Sequence, residues 1–154
     1  MTKKIILGLI IAYVIMFIAQ LIFIKYENPA ILNEPAWDSR DTKTTFMRAC
    51  GDCHSNETVF PWYSKIPPVS FFLYNHISEG RENFNISEYR REDGVKAAYE
   101  FKKGEMPLRA YTLIHKDAVI EGQAKVNFIR GLEATFGKYT KEKLEKNVYN
   151  HPEE

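Results

Sequence analysis

The chain has 154 residues, 45% hydrophobic and 27% charged, with 21 Lys and Arg against 20 Asp and Glu and a formal net charge of +1. That balance excludes a disordered, collagen-like or disulfide-dense protein, and it leaves a nucleic-acid binder no excess of positive charge. The mean hydropathy of −0.35 reads as soluble only on average, because one block at the start has a different character.

That block is Ile5 to Ile24, twenty residues without a charge and with Gln20 as the one strongly polar member. A helix needs roughly 20 apolar residues to cross a hydrocarbon core of ~30 Å, whereas the apolar region of a cleaved signal has about 7 to 15. The run is apolar on every side, unlike the one-sided stripe of a surface helix packed on a soluble core. Residues 1–25 are therefore expected to form an uncleaved transmembrane anchor. Lys3 and Lys4 precede the run, so the positive-inside rule puts the N-terminus in the cytoplasm. The expected location is the cytoplasmic membrane, crossed once, with the C-terminal domain on the extracytoplasmic (periplasmic) side. Beyond Lys25 there are 18 basic and 20 acidic side chains, a mildly acidic surface with no attraction for anionic lipid or nucleic acid.

Residues 26–37 contain Pro29 and Pro35 and predict a linker or a strap lying against the domain. Asp38, Ser39 and Asp41 are candidate N-caps for a short helix running into Met47 and Cys50. Pro67 and Pro68 suit the first turn of a second helix, whose apolar face reads Val69, Phe72, Leu73, His76, Ile77 and Gly80. A third helix is expected over Glu92 to Lys103, stopped by Gly104 and Pro107. A fourth runs from Ile120 to Phe136, with Ala124, Phe128, Leu132 and Phe136 on one side and Gly137 ending it. The spacing predicts a small all-α domain over 38–137, followed by a charged tail over 138–154.

The chemistry is concentrated at Cys50-Gly51-Asp52-Cys53-His54, which uses both cysteines of the chain. Two thiols separated by two residues and followed by His form the attachment pattern of haem c. The thiols bond the porphyrin edge and His54 becomes the proximal iron ligand. A redox-active disulfide competes for the same pair, although a thioredoxin-like site belongs in a βαβ pattern that is not visible here. A zinc site wants four N or S ligands, and there is no second cysteine pair.

A sixth iron ligand has to come from a remote segment. Met106 leads, because Gly104 ends a helix and Pro107 stiffens the backbone at the methionine. His/Met ligation suits an electron carrier. His76 and His115 are the alternative distal ligands, His76 also reading as a hydrogen-bonded core residue and His115 as a propionate partner or a solvated side chain. Met47 lies too close to Cys50, and His151 lies in the tail. Asn56, Glu57 and Thr58 can bond local backbone or steady the His54 imidazole. Phe60, Trp62, Tyr63, Phe71 and Phe72 are expected to supply an apolar wall, and Arg81 to pair with a propionate or with water.

On these residues the chain resembles the bacterial haem-binding domain family, built around C-x-x-C-H and usually anchored by one N-terminal helix. The likeness extends through Cys53-His54-Ser55-Asn56-Glu57-Thr58, Pro61-Trp62-Tyr63-Ser64, Pro68-Val69-Ser70, His76, Gly80-Arg81, Asn85, Ser87, Met106-Pro107, Tyr111 and His115. It covers residues 37 to 136. Tyr89 stands where the family commonly has Trp, and Leu108 where a second Pro often follows. The resemblance implies one covalently attached haem c and a mostly helical, cytochrome c-like domain.

The reading that follows is a membrane-anchored monohaem cytochrome of c type, passing single electrons to a redox partner protein and more a carrier than an enzyme. A haem sensor or peroxidase-like protein with a displaceable sixth ligand is the second reading, and a haem-free thiol-disulfide oxidoreductase the third.

Overall fold

A computed structural model describes residues 2–140. The part of the expected tail from residue 141 on, including His151, lies outside the described residues. Within them the protein is all-α, with seven helices and a single isolated bridge, Asn33 with Glu88, in place of any sheet.

Helix α1 (Thr2–Phe23) is long and apolar enough to cross a membrane. Gln20 is its one buried residue. After an irregular stretch, α2 (Arg40–Ala49) starts where the Ser39 hydroxyl accepts the backbone N–H of Thr42, a side-chain cap on an otherwise orphaned donor. Thr42, Phe46 and Ala49 form its buried stripe. The backbone leaves helical geometry at Cys50 and resumes it for one turn, α3 (Gly51–His54).

A 3-10 turn (Trp62–Lys65) leads to α4 (Val69–Asn83), with Pro68 as its N-cap, so the two prolines stand just before the first turn and not within it. The third expected helix divides into a 3-10 turn (Asp93–Lys96) and α5 (Ala97–Lys103). Gly104 ends α5 in the left-handed conformation at φ 79°, where any other L residue pays a steric cost. Helix α6 (Arg109–Ile114) went unanticipated, since six residues are too few to display a helical apolar period. Helix α7 (Gly122–Phe136) buries Phe128, Leu132 and Phe136, whereas Ala124 is exposed near its start.

The core lies between α2, α5 and α7. Phe136 is its hub, with ring centroids 5.2 Å from Phe84, 5.5 Å from Trp37, 5.7 Å from Tyr89 and 6.1 Å from Phe46. Phe101 and Phe128 pack edge to face at 4.9 Å between α5 and α7.

Between α4 and the Asp93 turn the chain passes through the interior, and Phe84, Asn85, Ile86 and Ser87 are all buried. Buried backbone there, which turns at Ile86 and Ser87, must find partners away from water. The Ile86 amide donates to the His54 carbonyl at 2.9 Å. The Leu32 and Asn33 amides both donate to the Ser87 carbonyl, at 2.8 and 3.2 Å. Asn85 donates to Asn56 at 2.8 Å, and the Asn56 amide donates to Ser87 Oγ at 2.9 Å.

Phe136→Ala removes the hub ring and should destabilise the domain by about 3 to 5 kcal/mol, the usual cost of emptying a buried aromatic site. Denaturant unfolding checks this, and a loss under about 1 kcal/mol would mean that the core does not converge on Phe136.

Candidate haem site

The one-turn helix α3 lies against the C-terminal part of α4. His54 Nδ1 sits 3.0 Å from the Gly80 carbonyl oxygen and 2.8 Å from that of Phe84. Carbonyls only accept, so Nδ1 carries the proton and Nε2 keeps its lone pair. That is the tautomer a metal-ligating histidine needs, oriented through its other ring nitrogen. Burial lowers the His54 pKa below its ordinary 6.5, against the smaller opposing effect of the two carbonyls, and so favours the neutral imidazole.

Such close packing requires glycine at position 80. A Cβ there would stand 2.6 Å from the Cys53 carbonyl oxygen, with backbone on both sides of the clash.

Cys50, Cys53 and His54 line a cavity of about 630 Å³, within the size range of small-molecule and cofactor sites. Phe46, Ala49, Phe84 and Leu132 give it an apolar lining, and Met106, Leu108 and Tyr111 border it from the segment after α5. Both cysteines are free thiols. Burial pushes Cys50 up to about 12, with Cys53 nearby adding to it. Burial and then Asp52 push Cys53 up to about 11, partly offset by Arg81. Among the described residues no group of three or more His, Cys, Asp and Glu is placed to hold a metal ion, so a zinc site finds no ligand set here.

The expected distal residues separate. Met106 lines the cavity and is partly exposed. His76 also lines it, but from α4, the helix that holds His54. Its Nδ1 donates to the Phe72 carbonyl at 2.8 Å and its ring stacks on Phe72 at 4.0 Å. His115 does not border the cavity. It lies flat on Tyr111 at 4.1 Å and is hydrogen-bonded through Nε2 to Tyr63 Oη at 2.6 Å.

Other expected roles are corrected. None of Phe60, Trp62, Tyr63, Phe71 and Phe72 lines the cavity. The wall comes from α2, α7 and Phe84, because the loop after His54 turns toward α1. Arg81 donates to the Ser55 carbonyl at 2.9 Å, Asn28 Oδ1 at 2.8 Å and Thr58 Oγ1 at 2.9 Å, so it ties the loop after His54 to the stretch after α1 and does not line the cavity. Asn56 and Thr58 bond surrounding backbone, and the atoms that steady His54 are main-chain carbonyls.

One contact had no reading in the sequence. Asp52, inside the C-x-x-C spacing, accepts from Tyr111 Oη at 2.7 Å and from the Val59 amide at 2.9 Å. Burial, and after it the Asp52 carboxylate, raise the Tyr111 pKa, so the phenol stays a donor. The bond ties the segment that follows Met106 to the cysteine motif. A lone carboxylate between two cysteines was the available signal, and an exposed helix residue would have looked the same.

A family model described as a haem-binding domain matches residues 14–134, from inside α1 to the last turn of α7. The chain belongs to the haem-binding domain family. Comparison with curated proteins and with solved structures gave no match. The haem-binding domain thus includes the whole cavity, and its residues fit the group that the family implies: a neutral imidazole with a free Nε2, two unpaired thiols beside it and an apolar lining.

In the unfolded chain His54 takes up a proton near 6.5, and in the folded apo-protein only at lower pH. Its stabilising contribution is therefore complete above about 6.5 and is lost as the pH falls below that value. Unfolding of the apo-protein across this range should show a shallower acid loss in His54→Gln, and equal slopes would exclude His54 as the group.

Proposed function

We propose that the protein is a membrane-anchored monohaem cytochrome of c type that carries single electrons on the extracytoplasmic side. The observation that supports this most is the pair of carbonyl contacts on His54 Nδ1, which leaves a bare Nε2 beside two free thiols. Cys50 and Cys53 would hold the haem through thioether bonds, His54 Nε2 as proximal ligand and Met106 sulfur as distal ligand. When bound, the haem supplies a one-electron iron couple, and His/Met ligation raises its potential. Phe46, Phe84 and Leu132 offer the haem an apolar contact surface, and the Asp52–Tyr111 bond holds the Met106 segment to the motif.

A thiol-disulfide oxidoreductase needs a thiolate at neutral pH. Thiols pushed up to about 12 and 11 work against that reading.

The test of attachment is a pyridine haemochrome spectrum of protein matured with cytochrome c assembly machinery. A c-type spectrum that survives acid-acetone extraction is expected, and Cys50→Ala with Cys53→Ala should release the haem. A colourless mature protein would overturn the proposal.

The test of ligation is Met106→Ala. It should abolish the far-red absorption band of a methionine sulfur on ferric iron and lower the potential. Persistence of the band would exclude Met106 as distal ligand.

A further inference from the structure

Helix α1 is exposed almost throughout, yet Gln20 is only 3% exposed. Its Nε2 donates to the Lys65 carbonyl at 3.0 Å, in the 3-10 turn Trp62–Lys65 of the haem-binding domain. A second bond runs beside it, Tyr26 Oη donating to the Ser64 carbonyl at 2.7 Å. The Tyr26 ring packs edge-on against Phe60 at 5.5 Å.

These contacts set a depth. Gln20 lies four residues before Ile24, the end of the apolar run, and four residues of helix rise about 6 Å. If α1 spans a bilayer along that run, the Lys65 backbone is held about 6 Å inside the outer end of the span. Interfacial segments bury their apolar faces about 5 to 10 Å into the boundary between headgroups and acyl chains. The side chains that the turn leaves uncovered match that layer. Trp62 is 77% exposed, Val59 72% and Ile66 38%, although each is large and apolar. Tryptophan is the residue enriched at membrane interfaces, with an apolar body and one N–H for the headgroups.

We infer that the Val59–Ile66 loop is a second membrane contact, inserting Trp62 and Ile66 into the outer interface of the bilayer that α1 crosses. The occupant of this apolar surface is thus phospholipid, bound by partition of apolar side chains and without need of anionic headgroups. The inference rests on the anchor reading of α1.

The test uses the full haem-loaded chain in phosphatidylcholine vesicles, with sedimentation and Trp emission measured together. Emission of Trp62 is obtained by subtracting that of Trp62→Phe, which removes the contribution of Trp37. Phospholipid brominated near the headgroup end of its chains should lower Trp62 emission about twofold, and more than phospholipid brominated near the tail ends, as an interfacial indole requires. Moving the fluorophore, with Trp62→Phe and Ile66→Trp combined, should give the same ranking. Protein that sediments with vesicles while Trp62 is unaffected by bromine overturns the inference and leaves the anchor standing. Protein that does not sediment overturns both. A Trp62 shielded from aqueous iodide yet unaffected by bromine assigns the surface to a second copy of the chain, and also overturns it.

Discussion

The structure depends first on where the His54 imidazole finds its hydrogen-bond acceptors. The last carbonyls of a helix have no intrahelical donors and must be met by something else. At the end of α4 the Gly80 carbonyl accepts the Phe84 amide at 3.0 Å and shares itself with His54 Nδ1, while the Phe84 carbonyl, just past the helix, takes the same imidazole proton at 2.8 Å. One side chain thus satisfies a helix end, fixes its own tautomer and presents Nε2 to a cavity. Gly80 packs directly on the Cys53 backbone, so the second cysteine and the imidazole after it are both seated against α4.

That arrangement dictates the path of the chain on both sides. Helix α4 ends at Asn83, and Phe84 to Ser87 leave it as buried backbone that turns at Ile86 and Ser87, the Glu88 amide donating to the Asn85 carbonyl at 3.3 Å. Buried backbone outside helix and sheet is costly unless every polar group is met. Here the partners are the His54 carbonyl, the Asn56–Asn85–Ser87 side chains and the irregular stretch before α2, which hydrogen-bonds to Ser87 through Leu32 and Asn33. The polar residues around the motif therefore hold main chain, and the apolar lining of the cavity is left to α2, α7 and Phe84.

This division explains what was legible in the sequence. The cysteine motif, the capped start of α2 at Ser39, the proline start of α4 and the glycine stop of α5 are local: each depends on residues a few positions apart, and each was readable. The buried face of α7 was readable as well, in Phe128, Leu132 and Phe136, but that of α4 was not. Val69 and Phe72 are spaced as a core stripe but are exposed, since α4 turns Ser70 inward and its His76–Gly80 part to the cavity. An aromatic such as Trp62 says that apolar surface will be covered, without saying by what. Arg81 and Asp52 were illegible for a related reason. Their partners, Asn28 and Tyr111, lie 53 and 59 residues away and are ordinary residue types in ordinary positions.

The same long-range bonds decide how the domain is joined to α1. A free linker of 12 residues would let its ends wander over roughly 20 Å, as a flexible coil does. Residues 26–37 have no such freedom. Tyr26 is bonded to Ser64, Asn28 to Thr58 and Arg81, Asn33 to Tyr89, and Lys43 pairs with Glu34 at 2.6 Å. Asn28 and Thr58 exchange two bonds, side chain to carbonyl and amide to side chain, which fixes both position and direction. Exposed ion pairs such as Lys43 with Glu34 add about 0 to 1 kcal/mol each, so the strap is held mainly by its hydrogen bonds to backbone. Ser64 and Lys65, whose carbonyls grip Tyr26 and Gln20, lie only ten and eleven positions after His54. The imidazole is therefore held at one height relative to α1 by the same loop that begins at the motif, and the geometry of the cavity and the attachment to the helix cannot vary independently.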